Sequence, residues 1–263
     1  MRIIYTILLN LVIFTHGMAD ITKFSSYAAK YAVYYKGIEA GEMIFNYQKD
    51  GDAIGITVET KGNSLAKLIG REKEIQKLKI EYKNSNALPI YYEYKKIGKE
   101  NKRYRYNYSY LKNKYELEIN EISNINENKK EFKSDEMFVD GLFFKFLSMI
   151  NPGNIKNEYN LVSKGNVRKI YPIIKKNQKI HIGNKSYTGF SVTYVNKNKN
   201  NITFYAVGDI NKMVYKEVRK NDKSILKIYF KEELIKIKWF FYDPNKETDL
   251  LLSQDILYQF LNL

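Results

Sequence analysis

The side chains in this sequence best spaced to do chemistry are carboxylates. Glu39 and Glu42 flank Gly41, and Asp135, Glu136 and Asp140 precede an apolar run. Two such groups held roughly 5–10 Å apart across a cleft would form a glycosidase-type pair. The same residues are what turns and helix starts call for, because a carboxylate caps backbone N–H groups and complements the helix dipole. The sequence holds two histidines, His16 and His181, and no cysteine. Disulfides, thiol chemistry and lipid attachment through cysteine are therefore excluded, and zinc-type sites lack their ligands. A Ser-His-Asp site would have to use His181. That residue lies in the alternating run Lys179-Ile180-His181-Ile182, opposite the isoleucines, which is the place of a solvated strand residue. No glycine-rich phosphate loop stands between a strand and a helix. These residues read as a non-enzymatic protein without a cofactor, the alternatives being a carboxylate-dependent hydrolase of envelope glycan or a β scaffold that binds a protein partner.

The first residues, MRIIYTILLNLVIFTHGMA, combine Arg2, an apolar run from Ile3 to Phe14, and small residues Gly17 and Ala19 before Asp20. This is the layout of a signal peptide cleaved after Ala19. The run is shorter than the roughly 20 apolar residues that span a bilayer, so no transmembrane anchor is expected after cleavage. The expected organisation is a signal over 1–19 and one β-rich domain over 20–263, exported to the periplasm. The formal charge is +15, which favours an anionic partner. Only six of the 44 basic side chains are arginine, whereas readers of nucleic acid rely on arginine for bidentate contacts. Abundant Lys, Asn, Ile and Tyr is also what an AT-rich genome writes into any protein. Nucleic acid is therefore excluded as a partner, and an anionic lipid or envelope amphiphile is retained.

The elements that would position these groups are strands. Apolar residues alternate at Tyr31, Val33 and Tyr35, at Met43, Phe45 and Tyr47, and at Ile54, Ile56 and Val58, the period of half-buried antiparallel strands. Gly37 and Gly41 mark a turn or bulge, and Asp50-Gly51-Asp52 a hairpin turn. The most regular pattern runs over 102–120, with Tyr104, Tyr106, Tyr108 and Tyr110 on one face. A turn at Lys112-Asn113 folds Tyr115, Leu117 and Ile119 beside them, and Glu116 and Glu118 share a face with Arg103 and Arg105. Residues 121–135 are polar and read as a loop. Gly141 to Ile150 reads as a buried helix capped by Asp140 and stopped by Asn151-Pro152-Gly153. Further strands follow to Tyr242, with Ser224–Lys231 and Glu233–Tyr242 read as two. Residues 247–263 read as a C-terminal helix with Leu252, Ile256 and Phe260 one turn apart. Roughly a dozen strands with two or three helices predict a mainly β fold, one large antiparallel sheet curled into a half-barrel or partly closed barrel around an inner helix.

Several of these stretches together carry a resemblance. They are Tyr31-x-Val33-x-x-x-Gly37-Ile38-x-x-Gly41-Glu42, Leu88-Pro89, Asp140-Gly141-Leu142, and Ile180-x-Ile182-Gly183 with Tyr187-x-x-Phe190-x-Val192. Over most of the chain they resemble domain-of-unknown-function family 3108, a family of exported bacterial proteins. The resemblance implies a periplasmic, mainly β protein whose curved sheet is similar in style to lipoprotein-carrier half-barrels. It carries over no catalytic residue. The chain departs from the family in its Tyr and Lys richness and at Thr203-Phe204-Tyr205-Ala206. With the curled pattern, it makes Tyr104, Tyr106, Tyr108, Phe143, Phe144, Phe146, Leu147 and Trp239 the expected lining of an apolar groove for a lipid-like ligand.

Overall fold

The computed structural model of the chain describes residues 26–68, 72–83, 86–123, 126–150, 153, 155–182, 185–195, 201–207, 212–220, 223–237 and 250–253. The signal segment 1–19, Trp239 and the turn signals Gly183-Asn184, Gly208-Asp209 and Asn221-Asp222 lie outside the described residues. A first meander holds β1 (Tyr27–Tyr35), β2 (Ile38–Asp50), β3 (Ala53–Gly62), β4 (Lys73–Lys83), β5 (Asn86–Ile97), β6 (Lys102–Leu111), β7 (Lys114–Ser123) and β8 (Glu127–Ser134), with a short helix α1 (Ser64–Leu68) between β3 and β4. Next come β9 (Phe138–Asp140), helix α2 (Gly141–Ile150), β10 (Tyr159–Ser163) and β11 (Asn166–Ile170). The second meander holds β12 (Ile173–Ile182), β13 (Lys185–Val195), β14 (Asn201–Val207), β15 (Lys212–Lys220) and β16 (Lys223–Ile237), followed by β17 (Leu250–Ser253).

The two meanders join in one antiparallel sheet of order β12-β13-β14-β15-β16-β1-β2-β3-β4-β5-β6-β7-β8, with β17 added to β16. The first strand therefore sits mid-sheet, and β8 and β12 are its unpaired ends among the described residues. The sheet is curled and not closed. Turn chemistry sets its hairpins. Lys36-Gly37 has φ of 49° and 85°, and Lys112-Asn113 has 50° and 61°, the type I′ geometry whose twist matches paired strands. Tyr106, Tyr108 and Tyr110 consequently face Ile119, Leu117 and Tyr115, the register that the alternation predicts.

Gly41 (φ 151°) lies at a bulge where β2 gains one residue against β1. A Cβ there would fall inside the Lys61 carbonyl oxygen. Gly41→Ala is expected to cost about 1–3 kcal/mol, the usual range for overpacking. Urea unfolding checks this, and an unchanged midpoint would mean that the bulge relaxes freely.

One continuous core covers the inner sheet face. It joins Tyr31, Met43, Phe45, Ile56 and Leu78 of the first meander to Val192, Phe204 and Ile228 of the second. Helix α2 lies against this face, with Leu142, Phe143, Phe144, Phe146 and Met149 in the same core. A three-stranded sheet, β11-β10-β9, packs beside it, and its β9–β10 pair is parallel.

Four expectations need correction. Residues 127–134 form strand β8 rather than a loop. Its sequence ENKKEFKS is polar because it is an edge with a single apolar contact through Phe132. The two strands expected over 224–242 begin as one, β16, which continues through a bulge opposite Lys30 and Tyr31. Of the expected C-terminal helix, 250–253 form a strand paired to β16, and 254–263 lie outside the described residues. Finally, Glu116 and Glu118 do share the face of Arg103 and Arg105, but opposite-charge pairs between them do not form. Arg103 and Arg105 ion-pair with Glu93 of β5, while Glu116 and Glu118 take Lys133 and Lys129 of β8. Arg105 stands directly opposite Glu93 in the ladder, and β8 supplies nearer cations to the glutamates.

Candidate ligand groove and its cationic pair

Asp140 ends β9 and starts α2. Its Oδ1 accepts the backbone N–H groups of Leu142 and Phe143 at 2.8 and 2.9 Å, and its Oδ2 accepts the Tyr108 hydroxyl at 3.1 Å. The cap expected from the sequence is thus also what ties the tyrosine ladder to the helix. Burial pushes the Asp140 carboxyl up to about 6, against the pull of these three donors.

Two adjoining cavities lie between α2 and the sheet. The first, of about 150 Å3, is lined by Met43, Phe45, Val58, Leu142, Phe146 and Met149, and also touches α1 through Ala66. Leu142, Phe146 and Met149 share one helix face with Lys145, spaced three and four residues apart. The second, of about 270 Å3, is lined by Tyr92, Tyr94, Tyr104, Tyr106, Tyr194 and Arg168. Gln76, Lys145 and Lys216 border both and mark the junction. Together the cavities reach the lower end of the roughly 300–1,000 Å3 typical of small-ligand sites.

Lys145 and Lys216 are both half-buried, line the same two cavities, and lie near enough for each to perturb the other's charge. Burial is the main cause that holds both below the usual lysine range, Lys145 the further because the Lys216 charge opposes its protonation. Among the described residues no carboxylate makes an ion pair with either. Asp140 favours charge on Lys145, and Glu74 on Lys216, from farther away. Arg168 donates from Nη2 to the Val195 carbonyl, while its buried Nε finds no partner among the described residues. Burial pushes Tyr104 and Tyr194 up to about 12, and the Tyr104 hydroxyl donates to Glu121 Oε1 at 2.9 Å.

The expected lining residues separate in the structure. Phe146 faces the apolar cavity, and Tyr104 and Tyr106 the tyrosine-lined one. Tyr108 borders a different, outer cavity near Leu88, Pro89 and Ile90. Phe143 and Phe144 are fully buried, and Leu147 packs half-buried on the core. Lys145, Lys216, Arg168 and the methionines were not singled out in the sequence. A lone lysine in an otherwise apolar helix was the one available signal.

Glu39 and Glu42 lie together around Lys231, away from Asp135 and Asp140. Glu42 pairs with Lys30 and Lys231, Glu39 with Lys231, and Asp135 with Lys114, whereas Asp140 is the buried cap. His181 is exposed on β12. Among the described residues no group of His, Cys, Asp or Glu could hold a metal ion, and no helix is long and apolar enough to cross a membrane. No family model matches the chain, and no curated protein matches it.

Proposed function

We propose that this chain is a non-enzymatic periplasmic protein of the cell envelope, akin to family 3108, which binds a lipid-like amphiphile between α2 and the curled sheet. The observation that carries this reading is the apolar cavity bounded by Met43, Phe45, Phe146 and Met149, which shares Lys145 and Lys216 as a wall with an adjoining polar chamber. Apolar walls with a few convergent polar groups are the usual make-up of a ligand site. The signal-like first 19 residues support export. The carboxylates' commitment to ion pairs and capping favours binding over hydrolysis.

The test is native mass spectrometry of the full-length chain after expression and gentle purification from a bacterial periplasm. The protein is expected to begin at Asp20 and to carry a mass that leaves on organic extraction and is identified as an amphiphile. Ala66→Phe, which fills the apolar cavity from α1, is expected to keep its melting temperature and lose that mass. A clean apo mass, unchanged after incubation with anionic lipid vesicles, would refute the reading.

A further inference from the structure

We propose that Lys145 and Lys216 form an anion site at the junction of the two cavities, and that the groove's ligand is a single-chain amphiphile with an oxyanion head, a carboxylate or phosphate monoester. This rests on the amphiphile reading and specifies its ligand.

Two other half-buried lysines, Lys30 and Lys73, are neutralised by carboxylates. Lys30 reaches Glu42 at 2.9 Å and Lys73 reaches Glu59 at 2.9 Å. At the junction two lysines meet with no carboxylate in ion-pair contact among the described residues, although desolvated cations carry a heavy cost unless paired. Lys145 comes from α2, and Lys216 from β15, where it faces Phe204 and Ile228 across the ladder. An oxyanion between them would supply the missing charge and accept from both nitrogens. Further donors line the same chamber, including Arg168 and the phenol of Tyr194. Gln76 accepts the Tyr92 hydroxyl on Oε1 at 3.2 Å, which leaves its amide N–H groups to donate. An apolar chain attached to that head has the Met43–Phe146 cavity beside it. At about 150 Å3, a size at which a dry cavity takes a benzene-sized group, this space holds roughly the first six carbons of one chain and has no room for a second beside it.

The experiment measures binding of laurate, dodecyl phosphate, dodecanol and inorganic phosphate to the extracted full-length product and to its Lys145→Met/Lys216→Met variant. Methionine retains the stem length and removes both cations, so the variant is expected to melt no lower than the wild type. The wild type is expected to bind laurate and dodecyl phosphate at least tenfold more tightly than dodecanol, and the variant to lose that preference while still binding dodecanol. An anion preference that survives in the variant overturns the site but leaves the amphiphile reading intact. Binding of none of the three twelve-carbon compounds to the wild type overturns both. Inorganic phosphate binding as tightly as dodecyl phosphate would identify a free-anion site and overturn the single-chain ligand.

Discussion

Phe144→Ala is expected to lower the unfolding free energy by about 3–5 kcal/mol, the range for removing a fully buried aromatic side chain. Phe144 has no exposed surface. Its ring meets Tyr159 of β10 at 5.2 Å, Tyr194 of β13 at 5.3 Å and Phe204 of β14 at 6.3 Å, all edge to face. Such pairs add about 0.5–1.5 kcal/mol each beyond burial. The residue therefore couples the helix to both the small sheet and the second meander. Equilibrium urea unfolding should show a lower midpoint at an unchanged slope. A loss under about 1 kcal/mol would mean that the surroundings collapse onto the gap, since the cost of such a deletion depends on how well the site closes.

Asp140→Asn is expected to stabilise the protein at pH 7 and to have little effect at pH 3. The Asp140 carboxyl, ordinarily near 3.8, stands at about 6 in the folded chain because it is buried. Between those values the folded state holds a proton that the unfolded state has released, so stability falls as pH rises across this window. The contribution is fully present below pH 3.8 and lost above pH 6, and its size is about 3 kcal/mol at roughly 1.4 kcal/mol per pH unit. Asparagine keeps an oxygen to cap Leu142 and Phe143, and its amide can donate to the Tyr108 oxygen. Alanine would instead lose the cap, at about 0.5–2 kcal/mol. The measurement is the difference between the unfolding free energies of the wild type and the Asp140→Asn variant, followed from acid to mildly alkaline pH. Taking the difference cancels carboxylates such as Glu42 and Glu59, which lysine partners hold low and which act in the opposite direction. Curves that run parallel across the whole range would show that burial does not perturb Asp140.

Local patterns carried much of the fold. The β6–β7 hairpin, its register and its turn follow from period-two alternation and Lys112-Asn113, both of which act within about twenty residues of sequence. The Asp140 cap and the apolar helix after it are equally local. Misreadings arose where an element's partner is distant. Strand β8 looks like a loop because an edge strand needs charge to stay unpaired. Leu252 fits a helix period with Ile256 and Phe260, yet β16 runs on beyond its pairing with β15, which ends at Tyr229, and offers 250–253 that edge. The parallel β9–β10 pair has no signature in either segment alone.

The groove divides along the same line. The sequence by itself determined that Tyr104, Tyr106 and the α2 phenylalanines would share an interior, because alternation and helical periodicity place side chains on faces. Only the tertiary structure decided that Tyr104 and Phe146 line different chambers and that Lys145 meets Lys216 where those chambers join. One lysine comes from the crossing helix and the other from the second meander. Pairing of β16 with β1 brings those parts of the chain together, and no pattern within either segment encodes the neighbour it acquires.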